Sequence, residues 1–366
     1  MTLPKTTEAL VLEGPRRLRR RTLPLPEIGD DDGLLRVEAC GLCGTDHELF
    51  TGVLAPAFPF VPGHEAVGII EAVGDRAAER WGVRVGDRVA VEVFLSCRAC
   101  PPCLAGDYRR CDHHGLAHMY GMTSVEEEPG LWGGYAQFQY LHPDSMILPV
   151  PAGLPPELAV AFNPLGAGIR WGVSVPGTGP GDVVAVLGCG IRGLCAVAAA
   201  KEAGASYVMV TGAGERDRPR LEQATRFGAD LVVDVTEEDP VARLRAEAAV
   251  AGADVVVDVT AKAPAAFLQG LALVRPGGTM VVAGTRGSGA IAGFDPDLVV
   301  YKEIRLLGAL GVDVAAYRAA LDLLALGAYP FADLPRQVVG LDGAGGLLET
   351  MAGERGTPPV HAVLVP

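Results

Sequence analysis

Four cysteines fall within fifteen residues: Cys97-Arg-Ala-Cys100-Pro-Pro-Cys103 and, eight positions on, Cys111. Thiolates at this spacing can wrap a tetrahedral zinc in a closed lobe. Four soft ligands leave no open position, so the predicted role is structural. A second, dispersed set is Cys43-Gly-Thr45-Asp46, followed twenty residues later by Gly63-His64-Glu65. A thiolate and an imidazole suit part of an open zinc site that keeps one position for a substrate oxygen. Taken alone, the same two residues also suit unrelated roles, a buried thiol and a core histidine. Cys40 and Cys43 spell CxxC, but Cys40 ends an apolar strand and lacks the βαβ surroundings of a redox pair. Cys189 and Cys195 read as small buried packing residues.

A third constellation is Gly188-Cys189-Gly190-Ile191-Arg192-Gly193, directly after the apolar run Asp182–Leu187 and opening a helical pattern. The first glycine permits a tight turn, and the second lets backbone approach a pyrophosphate. The third lets helix and strand pack closely, while the helix N-terminus offers partial positive charge. Ribose recognition is expected about 20 residues on, at the end of the second strand. There the chain reads Val210-Thr-Gly212-Ala-Gly-Glu215-Arg216-Asp217-Arg218, with glycine where a carboxylate would grip the ribose. Arg216 and Arg218 could meet a 2′-phosphate, which leans the reading toward NADP(H); a loop swinging Glu215 onto a ribose would favour NAD(H).

These residues need elements to hold them. The first 150 residues carry short β-type runs broken by Gly and Pro, such as LLRVEA, AVGIIEAVG and DRVAVEVF, with no helix-length amphipathic pattern. They predict a mostly antiparallel, barrel-like domain. From about residue 180, apolar strands alternate with helical stretches, which predicts a doubly wound parallel sheet in an α/β chain. With 366 residues, two domains are expected. The 31 Lys and Arg against 44 Asp and Glu give a net charge of −13, which argues against nucleic acid as a partner. The dense basic run Arg16, Arg17, Arg19, Arg20 and Arg21 reads as the solvated face of an early strand pair. The most apolar stretch is broken by Arg192 and several glycines, so no membrane association is expected. The N-terminal segment lacks the apolar core of a signal peptide, and a cytoplasmic location is expected.

The CGxCGTD run (Cys40 to Asp46), the GHEAVGIIEAVG segment (Gly63 to Gly74), the four-cysteine lobe and the glycine fingerprint stand in one order and spacing. In this the sequence resembles the zinc-containing medium-chain alcohol and polyol dehydrogenases, over almost its whole length. The resemblance implies a GroES-like catalytic domain from residues 1–163 and 303–366, with the zinc lobe at 97–111. It implies a Rossmann domain over 164–302, a cleft between the two, and a homodimer or homotetramer joined near Ile304 to Leu310. Cys43 and His64 would then hold a catalytic zinc, with Glu65 as a supporting carboxylate or exchangeable ligand. Thr45 would hydrogen-bond the substrate hydroxyl and start a proton relay. Two positions depart from the family pattern. The later ligand, a Cys, Asp or Glu before Pro, falls at Asn163, a weaker and neutral donor. The relay histidine position holds Glu48, with His47 before it.

The implied reaction is hydride transfer between an alcohol or polyol, or the matching carbonyl, and NAD(P). An alternative is a lyase or epimerase that keeps and recycles its own dinucleotide. The long segment from His113 to Gly134, with His114, His118, Tyr120, Met122 and Trp132, reads either as a pocket wall or as a surface loop with incidental aromatics.

Overall fold

Gly33–Leu42, buried along most of its length, is the spine of one sheet, because it pairs on both edges. The computed structural model, which describes residues 3–287 and 290–366, orders that sheet as Arg336–Val339, His361–Leu364, Gly33–Leu42, Ala66–Val73, Arg88–Val91 and Ile147–Pro149. Phe138–Leu141 adds a further antiparallel pairing to the spine. Register shifts at Leu34/Leu35 and Val37/Ala39 bend the strand, as bulges do. A Cβ at Gly68 would fall on the Arg36 carbonyl oxygen, so glycine is needed where these strands press together. Leu35, Ile70, Val89, Tyr135 and Leu141 fill the core behind them. Thr6–Leu12 and Leu18–Pro24 form a separate hairpin. Its arginines are exposed and ion-paired: Arg20 to Glu8 (2.9 Å) and Asp342 (2.8 Å), and nearby Arg16 to Glu354 (2.5 Å).

This region is not purely β. Gly44–Thr51 and Asp75–Trp81 are short helices whose seven or eight residues are too few to print an amphipathic period on the sequence. Both end on a left-handed glycine, Gly52 or Gly82.

The second sheet is parallel throughout, in the order Leu231–Asp234, Tyr207–Gly212, Val183–Leu187, Ala253–Asp258, Val274–Val282 and Arg305–Gly308. Val183–Leu187 is buried at every position, as a central strand covered by helices on both faces must be. The strand order reverses beside it, the place where doubly wound sheets open a crevice for a ligand.

Contacts divide the chain into two units. One holds residues up to Phe162 with Leu321–Leu326 and Pro335–Pro366; the other holds Asn163–Ala320 and Gly327–Leu334. The expected return to the first domain at residue 303 is therefore corrected. Arg305–Gly308 pairs in parallel with Thr279–Val282 and belongs to the second sheet, and the crossing falls near residue 320. Among the described residues no helix is long and apolar enough to cross a membrane.

Gly188 has φ = 102°, a left-handed turn directly after its strand. A Cβ on Gly193 would land on the Gly188 carbonyl oxygen, whereas one on Gly190 would meet open space. Gly193→Ala should therefore destabilise the fold by about 1–3 kcal/mol and lower its melting temperature by several degrees. Gly190→Ala should leave the melting temperature unchanged; thermal denaturation of the two variants side by side checks both.

Candidate metal centres and dinucleotide turn

The cysteine lobe is drawn together by short elements. Cys100 caps the turn Pro101–Leu104, and the 3-10 turn Tyr108–Arg110 swings Cys111 back. Tyr108 donates to the Glu92 carboxylate at 2.8 Å, and Arg109 pairs with Asp107 at 2.6 Å, tying the lobe down. The four sulfurs lie within 4.8 Å of one another, with Cys97 and Cys103 3.8 Å apart and Cys100 and Cys111 3.9 Å apart. A tetrahedral zinc with Zn–S bonds near 2.3 Å requires sulfur–sulfur edges of about 3.8 Å. The lobe fits that ion. Cys97, Cys100, Cys103 and Cys111 are free thiols, so no disulfide competes for these four.

The second cluster grows from the start of helix Gly44–Thr51. Cys43 takes the N-cap place, where Ser, Thr or Asp is usual. Its Sγ accepts the Thr45 N–H at 3.3 Å, and its own N–H donates to Asp46 Oδ2 at 2.8 Å. The thiol thus sits on the positive end of a helix, which favours a thiolate. His64 Nε2 stands 3.1 Å from Cys43 Sγ, and a Glu65 oxygen completes a buried group whose ligand atoms lie within 4.8 Å. Two glycines of the motifs make the room. A Cβ at Gly41 would overlap the Glu65 carboxylate, and Gly63, at φ = 97°, presses on Tyr135 and Cys40. Asp46 Oδ1 lies 3.9 Å from the buried His64 Nδ1, an ion-pair separation longer than a hydrogen bond. That geometry suits a carboxylate orienting a ligating imidazole so that Nε2 offers its lone pair. Burial and the Asp46 charge hold both the Cys40 thiol and the Tyr135 hydroxyl well above their ordinary pKa values. Both stay neutral beside the cluster, and Cys40 is a packing residue. The donor set of thiolate, imidazole and carboxylate fits zinc.

Of the other expected residues, Thr45 and His47 are partly buried and Glu48 is buried, all on the same helix. Glu48 stands three positions after Thr45, hence on its face, while His47 does not. Asn163 is buried in the second unit, where its Nδ2 donates to the Tyr317 hydroxyl at 2.8 Å. Gly166 admits that tyrosine, since a Cβ there would lie 2.5 Å from its ring. At the glycine turn, Gly190 caps helix Ile191–Glu202 without a side-chain cap, leaving its first N–H groups for a ligand. Arg192 lies over the Trp171 indole at 5.1 Å, and that indole donates to the Gly311 carbonyl at 2.8 Å. Arg218 pairs with Glu215 at 2.8 Å and reaches Glu237 at 3.6 Å, whereas Arg216 is exposed. The segment after His113 is no loop of incidental aromatics: Tyr120 and Trp132 are buried in the core of the first unit. Sequence reasoning missed Asp46 as an orienting carboxylate, although the spacing Cys43-x-x-Asp46 is that of a capping box. It also missed Tyr317, for which the sequence carries no signal.

Two family models cover most of the chain: the alcohol dehydrogenase GroES-like domain over residues 29–152 and the zinc-binding dehydrogenase model over residues 193–325. A Mycobacterium tuberculosis protein named "Probable alcohol dehydrogenase adh" is 69% identical over 360 residues, 98% of each chain. "Probable D-xylulose reductase A" of Neosartorya fischeri is 32% identical over 90% of this chain and 89% of its own. Among solved structures, a Sinorhizobium meliloti 1021 protein described as a zinc-binding dehydrogenase bound to NADP matches with a TM-score of 0.85. It is 28% identical and is covered in full by 99% of this chain. Alcohol dehydrogenase TADH from Thermus sp. ATN1 matches with a TM-score of 0.83 at 28% identity, over 98% of this chain and 99% of that one.

The two clusters should separate on mutation. Cys103→Ser is expected to remove about one zinc per chain and lower the melting temperature by several degrees, because a closed site contributes to folding. Cys43→Ser should remove the other equivalent and leave the lobe loaded. Atomic emission on the purified variants, paired with thermal melts, reads both.

Proposed function

The chain belongs to the zinc-containing alcohol and polyol dehydrogenases, and from that premise we propose which of its residues run the reaction. The protein is an oxidoreductase that transfers hydride between an alcohol or polyol, or the matching carbonyl, and NAD(P). The observation that carries the assignment of residues is the buried convergence of Cys43, His64 and Glu65 at the start of one helix.

Cys43 Sγ, His64 Nε2 and Glu65 hold the catalytic zinc in this reading, and Asn163 is the weaker further donor that its place in the sequence supports. Zinc there supplies Lewis-acid stabilisation of negative charge on the substrate oxygen, and the nicotinamide supplies or receives the hydride. The protein's own side chains do the rest. Asp46 fixes the Cys43 backbone with one oxygen and faces His64 with the other. Thr45 Oγ1 accepts the substrate's hydroxyl proton and passes it on. Glu48, on the same helical face, supports the next step better than His47, two positions from Thr45. Gly188, Gly190, Ile191, Arg192 and Gly193 seat the pyrophosphate of the dinucleotide on the helix N-terminus.

Gly212, Arg216 and Arg218 support NADP(H) on the sequence, and the Sinorhizobium neighbour was solved with NADP. The pairing of Arg218 with two glutamates supports NAD(H) instead. A lobe of free thiols suits the reducing cytoplasm. Exposed Val300, Tyr301, Leu306 and Leu310 beside the edge strand Arg305–Gly308 support a homodimer or homotetramer. The lyase or epimerase alternative has no support, since the curated relatives above are named as a dehydrogenase and a reductase.

Thr45→Val should lower kcat by about 10²-fold or more with zinc content unchanged, because it removes the proton acceptor and not a ligand. Asp46→Asn should weaken zinc binding by roughly 10–100-fold through loss of the orienting carboxylate. Steady-state kinetics on a panel of alcohols and polyols, with zinc titration in competition with a chelator, distinguishes the two. Full turnover in Thr45→Val would remove it from the relay.

A further inference from the structure

Thr211 stands level with Leu187 in the parallel register, so the end of strand Tyr207–Gly212 lies beside the glycine turn. A carboxylate at that end would meet the adenosine ribose of a dinucleotide seated on the turn. Gly212 holds the place, and space explains why. A Cβ there would lie 2.9 Å from Cys189 Sγ and 3.0 Å from the Cβ of Asp217. The volume that an acidic side chain at 212 would occupy is filled by an acidic side chain arriving from five residues downstream.

The loop is built to bring it there. The Asp217 N–H donates to the Gly214 carbonyl at 2.9 Å, and Asp217 Oδ2 accepts the Ala213 N–H at 3.0 Å. Cys189 Sγ lies 3.9 Å from the Asp217 carbonyl oxygen, which ties the loop to the glycine turn itself. Arg220 donates to Oδ1 at 3.1 Å and holds the carboxylate from its far side. Each carboxylate oxygen has two acceptor sites and gives one to these bonds. The side chain remains 22% exposed, so acceptor capacity faces outward.

The surrounding charge points the same way. Arg218 is engaged by Glu215 and Glu237, and Asp234 takes the Gly214 N–H at 2.9 Å. Four carboxylates, Glu215, Asp217, Asp234 and Glu237, thus stand around the loop against three guanidinium groups, of which Arg218 and Arg220 are already ion-paired and Arg216 is exposed. A phosphate dianion placed among them meets like charge, whereas a ribose diol meets acceptors.

Resting on the dehydrogenase reading above, we propose that Asp217 selects the dinucleotide, accepting the ribose hydroxyls of NAD(H) and repelling the 2′-phosphate of NADP(H). This reverses the lean to NADP(H) drawn from Gly212, Arg216 and Arg218. Asp217 replaces, from the following loop, the side chain that the strand end cannot carry.

The test is equilibrium titration of the zinc-loaded protein with NADH and with NADPH, followed by nicotinamide fluorescence without substrate. The wild type should bind NADH at least tenfold more tightly than NADPH. Asp217→Asn keeps an oxygen for the Ala213 N–H and removes the charge. It should weaken NADH binding by roughly ten- to a hundredfold and bring the two affinities together. A purely structural role would weaken both dinucleotides alike and leave their ratio standing, which would overturn the proposal. Tighter binding of NADPH by the wild type would overturn it too, while leaving the dehydrogenase reading intact. Binding of neither would overturn both.

Discussion

The candidate catalytic centre depends on one hydrogen-bonded arrangement, the cap of helix Gly44–Thr51. A cysteine in the N-cap place turns a device for ending a helix into a device for aiming a ligand. The thiol receives the Thr45 N–H, so the helix itself stabilises its charge, and Asp46 closes the ring by accepting the Cys43 N–H. Because Asp46 uses one oxygen for the cap, its other oxygen is left facing His64. The same turn then presents Thr45 beside the ligand it helps to fix. Ligand, orienting carboxylate and proton acceptor share four consecutive residues, and shifting the helix start by one would misplace all three.

The second unit obeys a related constraint, exclusion of side-chain volume. Gly193 lets helix Ile191–Glu202 come down onto the turn, and Gly212 lets the loop after the neighbouring strand fold back on Cys189. In both cases the absence of a Cβ sets how close backbone and neighbouring side chains come. The chemistry is then supplied by groups the glycines admit: helix N–H groups in one case, a carboxylate from five residues away in the other. Gly41 and Gly63 act alike in the first unit, admitting Glu65 and Tyr135.

Much of this was legible in the sequence because spacing and chemistry coincide there. The four-cysteine run fixes its own partners within fifteen residues, and the fingerprint declares itself by standing between an apolar strand and a helix. What was not legible depends on distance in the chain. Asp217 drew no reading because the rule for ribose recognition counts residues along the strand, while the loop folds its side chain back beside Gly212. The domain crossing was misplaced because Arg305–Gly308, with side chains largely exposed, looks the same in sequence whether it edges one sheet or another. The Tyr317 contact with Asn163 joins residues 154 positions apart, and neither carries a local motif.

Buried charge then decides what the first centre must hold. Asp46 and Glu65 are each at most 2% exposed; Glu65 shares a small volume with the Cys43 thiol and the His64 imidazole, and Asp46 faces that imidazole at 3.9 Å. Carboxylates taken out of water cost several kcal/mol each unless charge and hydrogen bonds offset the loss. The cap bond to Asp46 offsets one part, and a neutral Tyr135 and Cys40 avoid adding more negative charge nearby. A divalent cation among a thiolate, an imidazole and a carboxylate offsets the remainder, and it does so only with His64 neutral and Cys43 ionised. The helix N-terminus under Cys43 favours its thiolate, and the Asp46 carboxylate lies on the Nδ1 side of the His64 ring, leaving Nε2 toward Cys43. The cap therefore sets the position of the ligating thiol and of the carboxylate that faces the imidazole.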